Sequence, residues 1–185
     1  AQVAHVRTTS AVSCERLLRS ANQLLPPDLA VLGAEEVEET FHARFSAARK
    51  WYRYRIMTEP VVPPFVRPYV HHVRAPLNLA AMRRETAALR GRHDFRAFAR
   101  TPPRGGSLRT IAEVQLKRRG PEIHLDIEGN GFLHTMVRSI AGTVLDVGRG
   151  RLPVGTVRRM LRTRDRRLAG TTAPAKGLTL VRVDY

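Results

Sequence analysis

Cysteine is almost missing from this sequence. Cys14 is the only one in 185 residues, which excludes an internal disulfide and a thiolate metal cluster and fits a reducing cytoplasm. Acidic residues are scarce as well: 16 Asp plus Glu stand against 32 Lys plus Arg, a net charge of +16. Long apolar runs are absent, so the sequence offers no membrane-spanning segment. The opening Ala1-Gln2-Val3-Ala4-His5-Val6 lacks an initiator methionine and the basic-then-apolar layout of a signal peptide, and reads as a cut or processed end.

What is abundant is arginine, in a chain that is 43% apolar and long enough to bury a core. A polyanion is the natural partner of such an excess, because each neutralised phosphate releases condensed counterions. The arginines are spread through structured segments rather than gathered on one amphipathic helix or tail. That points to nucleic acid and away from a membrane surface. A codon bias that favours arginine is the bland competing explanation.

Periodicity predicts the elements. Residues 2 to 6 alternate weakly, like the end of a strand. Thr8, Thr9 and Ser10 offer cap hydroxyls to a helix carrying Leu17, Leu18, Ala21, Leu24 and Leu25, which Pro26-Pro27 ends. Residues 29 to 37 read as a strand and 41 to 48 as irregular. The stretch from 51 to 57 is a strong strand with Tyr52, Tyr54 and Ile56 on one face and Trp51, Arg53, Arg55 and Met57 on the other. A proline-rich loop over 60–68 leads to a short strand at 69–73, and Asn78 caps a helix with Leu79, Met82, Thr86 and Leu89 on one stripe. Residues 100–109 form a basic loop. A hairpin pairs 110–117 with 122–128, where Ile123, Leu125 and Ile127 alternate with His124, Asp126 and Glu128. A helix follows with Val137, Ile140, Val144 and Val147 on its stripe, then a short helix over 154–161 and a final strand over 178–183. Such irregular alternation with a hairpin predicts an α+β fold with a largely antiparallel sheet. His71-His72 and the pair His93/Asp94 have metal-binding chemistry, but strand and turn positions are their ordinary reading.

Five segments, in order, resemble the TruA family of tRNA pseudouridine synthases. They are Phe41-His42-Ala43-Arg44-Phe45-Ser46-Ala47 ahead of Tyr52-Arg53-Tyr54, Gly91-Arg92-His93-Asp94-Phe95 with Phe98, and Arg109-Thr110-Ile111. Gly131-Phe132-Leu133-His134-Thr135-Met136-Val137-Arg138 with Ile140 and Gly142 is the fourth, and Ala173-Pro174-Ala175-Lys176-Gly177-Leu178 ahead of Val181 and Tyr185 the fifth. Each alone is weak; five in register are specific. The resemblance implies the pseudouridine synthase fold, a mixed, largely antiparallel sheet flanked by helices. It assigns residues 1–25 to the tail of an N-terminal half-domain and 26–185 to the half-domain with the catalytic cleft. It also implies isomerisation of uridines in the tRNA anticodon stem-loop, no cofactor, tRNA as partner, and a homodimer.

The resemblance implies roles for particular residues. Tyr52 matches the active-site tyrosine that stacks on the uracil, with proton removal at C5 as a second task; packing as a core strand tyrosine is the competing reading. Arg138 matches the arginine that pairs with the catalytic carboxylate, a role that suits a permanently charged, two-pronged guanidinium; a solvated helix arginine is the alternative. The nucleophilic aspartate belongs to an R-T-D-A-G-V-H motif that this sequence does not contain, and it is expected upstream of Ala1. Among internal acids Asp126, on a hairpin strand near the Arg138 helix, is the best placed substitute, with Asp94 as a turn cap and Asp146 late in a helix. The chain by itself is therefore expected to be inactive, and an RNA-binding remnant without catalysis is the alternative reading. His42, Arg44, Arg49, Lys50, Arg53, Arg100, Arg104 and Arg109 are the expected RNA contacts, with Arg118 as a further phosphate contact. His42 and Phe45 are candidates to shape the cleft, and Lys176 and Leu178 to border it.

Overall fold

The computed structural model describes residues 2–101 and 105–185, and its chain divides into two compact units, Val3–Ser46 and Ala47–Tyr185. In the smaller unit, α1 spans Cys14–Leu24. Its cap is Ser13, whose hydroxyl accepts from the Arg16 amide at 3.4 Å, and not Thr8, Thr9 or Ser10. The strand expected over 29–37 does not form, and residues 2–6 are not a strand either. Instead the Asn22 side chain satisfies Val31 from both sides. It accepts from the Val31 amide at 2.8 Å and donates to the Val31 carbonyl at 2.9 Å, so one amide side chain takes the place of a neighbouring strand.

The larger unit is built on a six-stranded mixed sheet. Its strands are β1 (Arg49–Met57), β2 (His71–His72), β3 (Gly91–Asp94), β4 (Leu108–Arg119), β5 (Glu122–Gly129) and β6 (Leu178–Asp184). β1 is central. β5 runs antiparallel along one side of it, and β6 and the short parallel β2 share the other. β4 continues the sheet beyond β5 and β3 beyond β4, both antiparallel. The helices are α2 (Leu79–Ala87), α3 (Met136–Gly148) and α4 (Thr156–Thr163).

Strand alternation sets the two faces of the sheet. Tyr54, Ile56, Ile123, Leu125 and Ile127 join Val137, Ile140 and Val144 of α3 in one core, where Phe95, Phe98 and Met82 are also wholly buried. The opposite face is polar, and two of its arginines are paired with acids. Arg53 grips Asp126 with two bonds of 2.7 and 3.1 Å, and Arg55 grips Glu122 at 2.8 and 2.6 Å. Trp51 donates to Asp126 at 3.3 Å and lies beneath the Arg53 guanidinium.

Helix ends follow the same local logic. Asn78 caps α2 as its position predicts, accepting from the Ala81 amide at 3.0 Å. Glu85 does something the sequence does not announce. It is 1% exposed, and its carboxylate accepts from the amides of Gly155 at 2.5 Å and Val157 at 2.7 Å. An acid on α2 thus satisfies the orphan donors at the start of α4. Glu85→Ala leaves the buried Val157 amide unpaired and gives up the bond to the exposed Gly155 amide, so we expect a loss of about 2 kcal/mol in urea unfolding. A loss below about 1 kcal/mol would show that water replaces the carboxylate.

His71, on β2, is half-buried, with its Nδ1 atom inside. Its Nδ1 has no hydrogen-bond partner among the described residues, and its ring meets Tyr54 edge-on at 6.0 Å. Burial, and then the charges of Arg149, Lys176 and His72, lower its pKa from 6.5 to about 4. Between those values the folded protein binds fewer protons than the unfolded chain, so this stability is present above pH 6.5 and is lost as pH falls toward 4. The His71→Asn protein should show a flatter fall of the urea midpoint across that interval; an unchanged slope would assign the acid sensitivity to other groups.

Candidate active site

The sheet face that carries Tyr52 meets the start of α3. Tyr52 is half-buried on β1, and the edge of its ring contacts Phe132 with centroids 5.0 Å apart and planes at 82°. Phe132 sits in the turn that follows β5, where Gly131 lies against the Arg109 side chain, a Cβ there falling 3.5 Å from Arg109 Cδ. Leu178, opposite Tyr54 across the β1–β6 pair, packs on the same core as these two aromatic rings. Burial raises the Tyr52 hydroxyl above the ordinary phenol value, so the ring enters the site neutral.

Arg138 lies in the first turn of α3, half-buried. Its Nε donates to the Ala173 carbonyl at 2.7 Å, while the Ala173 amide donates to the Arg138 carbonyl at 3.1 Å. The neighbouring Pro174 carbonyl accepts from the wholly buried Tyr54 hydroxyl at 2.8 Å. Burial raises the Tyr54 pKa strongly, and the nearby Arg138 charge opposes part of that rise. The segment that closes the chain is therefore clamped over Arg138 and Tyr54. Two glycines permit this approach. A Cβ on Gly142 would lie 1.6 Å from the Thr171 carbonyl oxygen, and one on Gly177 would lie 2.8 Å from Tyr54 Cζ. Asp146, one turn beyond Gly142, accepts from the Thr171 amide at 2.9 Å and the Thr171 hydroxyl at 2.6 Å.

The guanidinium of Arg138 has only its Nε committed, and among the described residues it forms no ion pair. Its terminal nitrogens are available to a planar anion such as a carboxylate. Thr135, three residues earlier, holds a left-handed backbone with φ of 62°, an unusual state for a β-branched residue, and its buried hydroxyl has no partner among the described residues. Strain of this kind, on the order of 1–3 kcal/mol, persists only where the surroundings enforce it. Here it stands between the Phe132 turn and Arg138.

None of the three internal acids serves Arg138. Asp126 lies on the opposite face of the sheet, held by Arg53 and Trp51, because strand alternation turns it away from the Leu125 and Ile127 side that packs on α3. Asp146 is consumed by Thr171, with Arg149 at 3.6 Å. Asp94 caps the turn before Phe98, accepting from the Arg96 amide at 3.1 Å and pairing with Arg164 at 3.3 Å.

The expected RNA contacts separate into groups. Lys50 shares the Tyr52 side of β1 by alternation and forms no ion pair among the described residues. Arg109 lies beside the Gly131–Phe132 turn and donates to the Leu108 carbonyl at 2.6 Å. Arg53 spends its charge on Asp126, and Arg49 reaches Glu128 at 3.3 Å. Arg118 stands opposite Ile123, four residues along β5 from the Tyr52 partner Ile127, roughly 13 Å away at strand spacing. Arg100 is exposed, and Arg104 lies outside the described residues. In the smaller unit the His42 ring packs at a tilt between His5, at 4.5 Å, and Phe45, at 4.3 Å, and Arg44 covers the exposed Phe45 ring at 5.5 Å. His93 lies on β3 with Nε2 2.9 Å from the Arg90 carbonyl, a strand role.

An aromatic pair, a guanidinium whose terminal nitrogens are uncommitted among the described residues, and basic residues on the same sheet fit a nucleic-acid-modifying enzyme. The comparisons with known proteins agree. A family model described as tRNA pseudouridine synthase matches residues 86–185. The chain is 43% identical over 186 residues to the tRNA pseudouridine synthase A of Moorella thermoacetica, covering all of this chain and 75% of that protein. It is 44% identical over 186 residues to the same-named protein of Exiguobacterium sp., across all of this chain and 74% of the relative. Against that of Thermus thermophilus it is 43% identical over 185 residues, across 98% of this chain and 73% of the relative. The chain belongs to the tRNA pseudouridine synthase family.

Proposed function

We propose that this protein isomerises uridine to pseudouridine in the anticodon stem-loop of tRNA, with Tyr52 and Arg138 in the reacting site. The observation that carries this reading is Arg138: a half-buried guanidinium, fixed through Nε to Ala173, with its terminal nitrogens uncommitted among the described residues. A carboxylate brought against it would remain ionised and correctly aimed. On this reading that carboxylate is the aspartate of the family motif, which is not among these 185 residues, and no activity is expected from them without it. Tyr52 supplies a flat face for the detached uracil. Phe132, edge-on against it, fixes the ring plane. Burial makes the Tyr52 hydroxyl still harder to ionise, which favours stacking over proton removal among the two roles expected for it.

The target base must leave its stack before its glycosidic bond can be reached, and a loop nucleotide does so at the least cost. Lys50 and Arg109 border the aromatic pair and contact the backbone phosphates on either side of it. The partners on this reading are tRNA and a second copy of the chain, in the cytoplasm; among the described residues no helix is long and apolar enough to cross a membrane. The test is carbodiimide labelling and primer extension on unmodified tRNA treated with the protein joined to its aspartate segment. New stops in the anticodon arm are expected. Labelling nowhere in the tRNA would sink the reading.

A further inference from the structure

A depression of about 300 Å³ lies between the 60–70 loop and the closing segment. Its floor is apolar, formed by Val62 and Val70, which are 4% and 1% exposed. Its rim carries Arg67, His72, Arg74 and Lys176, and among the described residues no carboxylate lines it. Among the described residues none of the three cations forms an ion pair; Arg67 donates only to the Val62 carbonyl, at 3.4 Å. The sheet's opposite face, by contrast, matches Arg53 and Arg55 with acids. All three are exposed, so solvent screens their mutual repulsion, and an anion seated in the hollow would be attracted by all three at once. Burial above all, and then Arg149 with the same rim charges, Lys176 and His72, lowers the pKa of nearby His71.

The geometry points to this depression as a seat for a backbone phosphate of RNA, distinct from the contacts beside Tyr52. The volume suits one phosphodiester group with a few ordered waters, each needing about 30 Å³. RNA is favoured as the source because the same loop exposes Phe65 at 91% and Tyr69 at 60%, flat rings that unpaired bases can stack on. Lys176 also lies two residues beyond Pro174, whose carbonyl holds Tyr54. A phosphate seated here is thus tied through one short segment to the clamp over Arg138. This inference rests on the tRNA reading above.

The experiment compares tRNA binding across a salt series for the full chain, the triple variant Arg67→Gln, Arg74→Gln, Lys176→Gln, and a control of equal charge loss, Arg84→Gln, Arg158→Gln, Arg162→Gln. Each lost phosphate contact removes about 0.7–0.9 from the log–log slope. The pocket variant is expected to bind roughly tenfold more weakly, with a slope shallower by about one unit or more than that of the control. The three single variants, each expected to lose part of the slope, decide the matter should the triple variant fail to fold. Equal slopes and affinities in pocket and control variants would overturn the proposal. Salt-independent or absent tRNA binding by the unaltered chain would instead overturn the tRNA reading itself, and the phosphate seat with it. Titration with inorganic phosphate separates a free-anion site: saturable binding lost in the pocket variant, with an unchanged tRNA slope, would overturn the RNA assignment. Loss of self-association in the variant, again with an unchanged tRNA slope, would assign the loop to a second copy of the chain.

Discussion

In the chain joined to its aspartate-bearing segment, replacing Arg138 with methionine should lower kcat for tritium release from C5-labelled tRNA by at least about a thousandfold, on the order of 4 kcal/mol of transition-state stabilisation. The reason is geometric. Nε is anchored on the Ala173 carbonyl at 2.7 Å, so the two terminal nitrogens present a fork in a fixed plane. Methionine keeps the side-chain volume and the packing of α3, but it leaves the nucleophilic carboxylate without its counter-charge. That carboxylate then resists ionisation in a partly dry site. Arg138→Lys keeps the charge and loses the fork together with the Ala173 bond, so it should recover little of the rate. KM should change far less than kcat, because the interaction lies within the catalytic centre and not on the tRNA backbone. A folded Arg138→Met enzyme that retains a tenth of its activity would remove Arg138 from the reaction.

Gly142→Ala should be the most damaging small substitution for the fold. The added methyl would sit 1.6 Å from the Thr171 oxygen, 2.8 Å from the Thr171 carbonyl carbon and 3.0 Å from the Ala173 nitrogen. All three are backbone atoms, so no rotamer change relieves the clash. Either α3 shifts or the closing segment lifts. Lifting breaks the paired bonds between Arg138 and Ala173 and strains the Asp146–Thr171 contacts. Overpacking in a fixed core costs about 1–3 kcal/mol and occasionally more. We expect about 3 kcal/mol here, a fall of roughly 6–12 °C in Tm for a chain of this size. Activity should fall further than stability explains, since Arg138 loses its anchor. A calorimetric Tm within about two degrees of the unaltered protein would show that the segment is free to move aside.

The extent to which these features were legible in the sequence depends on whether the information was local. β5 was readable because Ile123, Leu125 and Ile127 are all wholly buried while the residues between them are not. The same alternation carried the correction for Asp126. A residue between Leu125 and Ile127 must face away from α3, and only its closeness in sequence to the helix suggested otherwise. Asn78 was readable as a cap because a cap is a contact over three residues. The expected strand at 29–37 failed because apolar content says nothing about a pairing partner: Leu32 is 91% exposed, and Val31 is held by Asn22. Thr8, Thr9 and Ser10 were as plausible a cap as Ser13, since any hydroxyl ahead of an apolar stripe gives the same signal.

The candidate site was half legible. Tyr52 and Arg138 came from motif register, and the structure puts them on one face of the sheet and at the start of the helix covering it. Long-range contacts were not legible. Neither the edge contact of Phe132 on Tyr52 nor the two carbonyls that hold Arg138 and Tyr54 leaves a mark in composition or period. Gly142 and Gly177 were visible as letters within motifs, but their reason is the chain that passes over them. Glu85 reads as one more helix acid until α4 is seen to begin on it.

The most direct measurement is tritium release from tRNA labelled at C5 of its uridines, run with the 185-residue chain alone and with the same chain joined to the aspartate-bearing segment. Release of about one tritium per modified uridine by the joined protein, and none above background by the chain alone, is the predicted result. Rapid release by the chain alone would contradict the division of the site between Tyr52, Arg138 and an outside carboxylate, and release by neither would contradict the enzyme itself.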